Sequence, residues 1–351
     1  MSERGFKILE AIIDEYIRTG EPIGSKFLAE RLCFPVSSAT VRNEMASLEQ
    51  QGYLDHPHTS AGRIPTVKGY RLYIERLALE NPEKRPLLSD EDKYVIDSAL
   101  EGVNADSDEV IIESASRALA ELTKCAVVST SNLSRFSVIT KVEVIPTGKR
   151  MYVLLLITSG GNIKNRVCRL SFDLTHEQLD FFTKFANENL AGQNPENISE
   201  EYIKKIGSAL GSYMISLSPL LKAVADLSGE MTGSRVNFEG ESNLIAFEDF
   251  RKNEILSILE SRDAFTGLLD NAFSGISVLF GGESEGRGDT FAVSNSGLIA
   301  GSFLKHGKTA GSFGVIGPMR LDYKKLIPYI EYFAVKVTGL LSEDDEEEGG
   351  G

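Results

Sequence analysis

Apolar positions Phe6, Leu9, Ile13, Tyr16 and Ile17 recur at helical spacing near the amino end, and Gly20 followed by Glu21-Pro22 stops the run. A first helix is expected there. A second, short one fits Ser25 to Leu32, opened by Gly24-Ser25 and closed before Pro35. Ser37 offers an N-cap for a third helix, in which Val41, Met45 and Leu48 share one face and which ends near Gly52. Three short helices with a tight turn before the last form a helix-turn-helix arrangement. Tyr53-Leu54-Asp55 then reads as a strand, Pro57 to Gly62 as turn chemistry and Arg63-Ile64 as a returning strand, so a hairpin is expected. From Pro65-Thr66 a further helix turns Tyr70, Tyr73, Ile74 and Leu77 inward and leaves Lys68, Arg71 and Arg76 to solvent. Two prolines and mixed charges mark Asn81 to Asp90 as linker.

Beyond it the pattern is mixed α/β. Ser107 to Lys124 is amphipathic and leads into strand-like Cys125 to Ser129. Val138 to Ile145 and Met151 to Ile157, joined by Pro146-Thr147-Gly148, predict an antiparallel hairpin continuing toward Arg169. Asp173 to Leu221 is helical throughout, with polar breaks at Gly192 to Asn197, and reads as an insertion. The mixed pattern returns after Met231 to Gly240, with helices from Phe247 to Phe273 and strands at Ile276 to Phe280, Thr290 to Ser294 and Gly311 to Ile316. A final helix carries Leu326, Ile330, Phe333, Val337 and Leu340, with Pro328 expected to kink it or delay its start.

Length and composition narrow the class. At 351 residues the chain exceeds one ordinary core, so two or three domains are expected, and 42% apolar with 25% charged residues is a globular composition. The charged start MSERGFKILE and the absence of a long apolar run lead us to expect a cytoplasmic protein with no membrane segment. Cys33, Cys125 and Cys168 lie far apart, which suggests reduced, mostly buried thiols rather than a disulfide framework. The net charge of −14 is unevenly placed, because residues 1–86 hold 12 basic and 12 acidic side chains. The ending SEDDEEEGGG is expected to be a disordered acidic tail.

Candidate chemistry begins with the glycine loops. Gly281 and Gly286 in LFGGESEGRGD have P-loop spacing, but Arg287-Gly288 stand where lysine and a hydroxyl residue are needed, and Gly307-Lys308-Thr309 lies one residue too far from Gly301. For HPHTSAGRIP, His56 to Pro65, a metal site, a catalytic loop and a finger toward another molecule all come into question. His56 and His58 lack the donors of a closed zinc site, and no Ser-His-Asp or Cys-His arrangement stands out, so neither metal nor cofactor nor catalysis is expected. Nucleic acid fits better. On the third helix Ser38, Thr40, Arg42 and Asn43 are the candidates for base edges: Arg42 can pair with guanine, Asn43 can read adenine, and Ser38 or Thr40 can hold a phosphate. A merely solvated polar face is the alternative, against which the hairpin weighs. His58, Thr59, Ser60 and Arg63 give it hydroxyls and a cation suited to a DNA-binding wing, with Lys68 and Arg71 as further phosphate contacts. The formally neutral head makes attraction depend on local placement.

The stretch SSATVRNEMASLEQQGYLDHPHTSAGRIPTVKGYRLYIERL, Ser37 to Leu77, closely resembles the hallmark segment of the heat-inducible transcription repressors of bacteria, the HrcA family. SASRALAELTKCAVV, GGNIKNRVCRL, GESNLIAFEDF and GSFGVIGPMRLDY extend the resemblance in patches, while LFGGESEGRGD departs from the family's usual Ile-Gly-x-Glu-Asn. The resemblance implies an α+β multidomain protein: an N-terminal winged helix-turn-helix and a GAF-like α/β domain with an inserted helical dimerisation domain. The corresponding division is 1–80 for the DNA-binding domain, 81–106 for a linker, 107–172 and 236–341 for the GAF-like domain, 173–235 for the insertion and 342–351 for the tail. It also implies a homodimer that binds an inverted-repeat double-stranded operator of chaperone genes, with the bacterial chaperonin as modulator. A regulator sensing a small molecule through the GAF-like domain is the alternative.

Overall fold

The computed structural model describes residues 1–57, 62–79, 88–101, 103, 107–208, 214–270, 275–281 and 295–348. His58, Thr59 and Ser60 of the expected wing, the expected strand at 290–294 and most of LFGGESEGRGD lie outside them. Helix α1 (Glu3–Thr19) opens on Ser2, whose Oγ accepts from the Gly5 N–H at 2.9 Å. It closes on Gly20, held at φ 71° in the left-handed region that glycine tolerates best. It buries Ile8, Leu9, Ile12 and Ile13, a helical stripe. Strand β1 (Ile23–Gly24), α2 (Ser25–Ala29), α3 (Ser38–Gln50), β2 (Leu54–Asp55), β3 (Gly62–Pro65) and α4 (Val67–Leu79) complete an amino-terminal head, its strands ordered β1-β3-β2 and antiparallel.

The expected linker 81–106 is not all linker. Residues Asp90–Leu100 form α5, capped by Ser89, with Asp90, Glu91 and Asp92 in the first turn where the helix dipole favours acids. Its Ile96 and Leu100 are buried, and Asp97 accepts from Tyr332 Oη (3.0 Å) and pairs with Lys336 (2.9 Å). The prolines just upstream mask this apolar pair in the sequence.

The body is built on a five-stranded antiparallel sheet. Its strands are β4 (Ala126–Ser131), β8 (Arg235–Glu239), β9 (Ile276–Phe280), β10 (Ser296–Lys305) and β11 (Lys308–Pro318), ordered β8-β4-β11-β10-β9. On one face Val127, Ile299, Phe313 and Val315 share a core with α6 (Asp108–Thr123) and α12 (Tyr323–Glu348). On the other, Val128, Leu298, Ala300 and Ile316 pack with Phe265, Leu269 and Ile258 of α11 (Arg262–Asp270) and α10 (Lys252–Glu260). Helices on both faces bury both sets of β10 side chains, so this strand shows no alternation and escapes the sequence reading.

Between β4 and β8, neighbours in that sheet, the chain makes a second body. Strands β5 (Ile139–Gly148), β6 (Met151–Thr158) and β7 (Ile163–Arg169) form an antiparallel sheet covered by α7 (His176–Leu190), α8 (Glu200–Gly207) and α9 (Met214–Met231). Val142, Val144, Leu154 and Leu156 share one core with Phe182, Leu190, Val224 and Leu227. Asn187 of α7 clamps Val142, accepting from its N–H at 2.9 Å and donating to its carbonyl at 2.8 Å. The break expected at residue 173 therefore falls inside a packed unit, because these helices have only this sheet on which to bury their apolar stripe. Helix α12 starts at Tyr323 despite Pro328 and continues through Glu348, where a disordered tail from 342 was expected. Neither glycine nor proline interrupts 342–348, and four of its seven residues are glutamate, a good helix former. Cys125 and Cys168 are buried, as expected of most of the thiols, and Cys33 is exposed; burial pushes the Cys125 thiol up to about 12.

Candidate nucleic-acid interface

Helix α3 is positioned by three buried side chains, Val41, Met45 and Leu48, at 0, 3 and 1% exposure. Ser38 at its amino end and Arg42 and Asn43 in the next turn are all exposed. Ser37 caps the helix by accepting from the Thr40 N–H at 3.1 Å, and its hydroxyl lies 2.8 Å from that of Thr40. Thr40, half-buried, thus takes part in the cap. Glu44 is tied back to Arg4 of α1 at 2.6 Å.

The hairpin is pinned to the carboxyl end of the same helix. Arg63 donates through Nε to Glu49 at 2.9 Å, and its Nη1 lies 2.8 Å from His56 Nδ1. Its side chain is only 22% exposed. The sequence reading presents Arg63 to phosphate; in the structure it is a strut between β3 and α3. Its partner Glu49, fourteen residues earlier, carries no local signal of the pairing. Lys68 donates to the Gln51 carbonyl at 2.8 Å and stands 4.8 Å over the Tyr53 ring, a cation at a helix carboxyl end where the dipole favours it. Arg71 is exposed on α4. Ser38, Arg42, Asn43, Lys68 and Arg71 are thus all solvent-accessible on the head.

Close approach sets the hairpin's place. A Cβ on Gly62 would come within 2.6 Å of Pro22, and one on Gly69 would stand 2.4 Å from the Tyr53 carbonyl oxygen. Alanine at an exposed helical glycine normally stabilises by up to about 1 kcal/mol. At Gly69 the clash dominates, and Gly69→Ala is expected to cost about 1–3 kcal/mol in chemical denaturation of the full chain. Equal or higher stability would refute the close contact.

One of the glycine loops is described in full. Gly307-Lys308-Thr309 belongs to the tight turn joining β10 and β11, in which His306 and Gly307 both have positive φ, 49° and 73°. Among the described residues no three histidine, cysteine or acidic side chains gather as a metal site, and no helix is long and apolar enough to cross a membrane.

The model of the HrcA protein C-terminal domain matches residues 109–327. The heat-inducible transcription repressor HrcA of Acetivibrio thermocellus is 34% identical over 345 residues, 96% of this chain and 95% of its own length. That of Clostridium acetobutylicum is 32% identical over 339 residues, 94% of each. A crystal structure described only as that of a hypothetical protein superposes with a TM-score of 0.63 at 26% identity, covering 98% of this chain and 99% of the other. A family model over most of the body and relatives along nearly the whole chain put the protein among the transcription repressors. It belongs to the HrcA family.

Proposed function

We propose that the chain represses heat-shock chaperone operons by binding an inverted-repeat operator as a homodimer. Each head acts as a winged helix, with α3 as recognition helix and the β2–β3 hairpin as wing, to which His58, Thr59 and Ser60 belong. The observation that carries this reading is the exposure of Ser38, Arg42 and Asn43 on a helix anchored by Val41, Met45 and Leu48, beside a hairpin locked to the same helix. With the insertion left out, the body strands run in the order 2-1-5-4-3 with helices on both faces, which supports a GAF-like reading. Chaperonin control is carried over from the family resemblance.

The occupant proposed for the dimer contact is a second copy, seated on the outer face of the β5-β6-β7 sheet. That face carries Ile145, Val153, Leu155, Ile157, Ile163 and Val167 in adjoining registers, with Ile163 and Val167 56 and 58% exposed. Lys141 and Glu143 lie on the flanking strand, so both charges needed for self-complementarity across a two-fold axis are present. The sequence reading put the dimerising surface on helical residues 173–235; there Phe182, Leu190, Val224 and Leu227 are buried on the inner face of the sheet, and Phe181 is exposed.

Arg42→Ala is expected to weaken operator binding by about 1–3 kcal/mol and binding to random duplex far less. Lys68→Ala or Arg71→Ala should instead weaken both and reduce the salt slope by about one counterion. Binding titrations at several salt concentrations check both; equal losses on the two DNAs for Arg42→Ala would exclude base reading by that residue.

A further inference from the structure

Two stretches singled out in the sequence, GESNLIAFEDF and GSFGVIGPMRLDY, lie far from the residues assigned to DNA. In the structure they meet, and where they meet they grip the head. Asp249 from the first accepts two hydrogen bonds from Arg320 of the second, Nε to Oδ1 at 2.7 Å and Nη2 to Oδ2 at 2.8 Å. This fork-to-fork pairing fixes the guanidinium plane. Arg320 Nη1 reaches the Ile17 carbonyl in the last turn of α1 at 3.4 Å, and a Cβ on Gly20 would touch the same guanidinium at 3.4 Å. In the first turn of α12, Lys324 bonds Glu10 at 3.0 Å and Asp14 at 2.8 Å, both on α1, while Asp14 also accepts from Tyr73 Oη of α4 at 2.6 Å. Between these polar contacts the rings of Tyr70, Phe280 and Tyr323 meet with centroids 5.8 to 6.1 Å apart.

The gripped surfaces are α1 and α4, which leaves Ser38, Arg42 and Asn43 of α3 exposed. The contact has a buried aromatic centre and a polar edge that solvent reaches. Lys324 is a third exposed and Arg320 a quarter, beside an open cleft of about 850 Å³ that they both line. The Tyr70 hydroxyl is buried there without a hydrogen-bond partner, a group that water would satisfy once the head swung away.

We propose that Asp249, Arg320, Tyr323 and Lys324 are positioning residues: they clasp the head to the body, and so set the distance and angle between the two heads of a dimer to one half-site spacing. The inference deepens the repressor reading and rests on its dimer. A free head would still bind a half-site, but the second head would have to search for its own, so the gain from two linked contacts would fall.

The test combines Arg320→Ala with Lys324→Ala in the full chain. Spin labels on exposed Cys33 and on a cysteine replacing exposed Glu121 report the head-to-body distance within one chain, in labelled protein diluted with unlabelled. The parent should give one narrow distance and the double variant a broad distribution. On duplexes whose inverted half-sites are separated by increasing spacers, the variant should lose roughly tenfold at the parent's preferred spacing and bind the others within about twofold of it, with single half-site binding unchanged. Arg320→Lys, which keeps the charge but not the fork, should fall between. A narrow distance in the double variant, or an intact spacing preference, overturns the clasp; so does an equal loss on single half-sites, which would mean a damaged head. If the parent prefers no inverted repeat, the repressor reading fails, while the distance measurement still decides the clasp.

Discussion

Replacing Ile163 and Val167 together by lysine is expected to turn the proposed dimer into monomers in sedimentation velocity and to lower operator affinity by about 100-fold or more, because each head must then bind alone. Both residues are more than half exposed and neither belongs to the core beneath the sheet, so the fold should lose little, within about 0.5 kcal/mol. Like charges brought face to face across a two-fold axis make the pair of substitutions self-repelling. Binding to a single half-site should not change. A variant that still sediments as a dimer would move the contact off this sheet.

Phe313→Ala is expected to destabilise the body by about 3–5 kcal/mol in equilibrium denaturation. The ring is fully buried, 4.7 Å from Phe303 and 5.5 Å from Phe333, so it joins two strands of the central sheet to α12. Those neighbours cannot easily collapse into the void. The next positions are equally tight, since a Cβ on Gly311 would stand 2.0 Å from the Thr130 carbonyl oxygen. Weaker operator binding should follow, because α12 also carries half of the clasp. A loss under about 1 kcal/mol would show that the layer repacks and that this face is not where the stability resides.

Much of the head was legible because its signals are local. Ser37 ahead of Val41, Met45 and Leu48 predicts α3 with its cap and its buried stripe, and the structure has both. The flanking turn residues predict the return of the chain at Arg63. Helix α5 escaped because nearby prolines outweighed a two-residue apolar signal, and β10 because a strand covered on both sides has no period to read.

The amino-acid order by itself determined which segments coil or extend, where α3 begins, which side of it is apolar, and the family to which the chain belongs. Only the tertiary structure decided that Arg63 turns to Glu49, that 139–169 belongs with the helices after it, and that Asp249 meets Arg320 at the foot of the head. The reason is physical. Helix periodicity and caps arise from neighbours within four residues. Ion pairs, core membership and docking are settled by which surfaces must share the dry space between them, and the partners there lie from 14 to 314 residues apart along the chain.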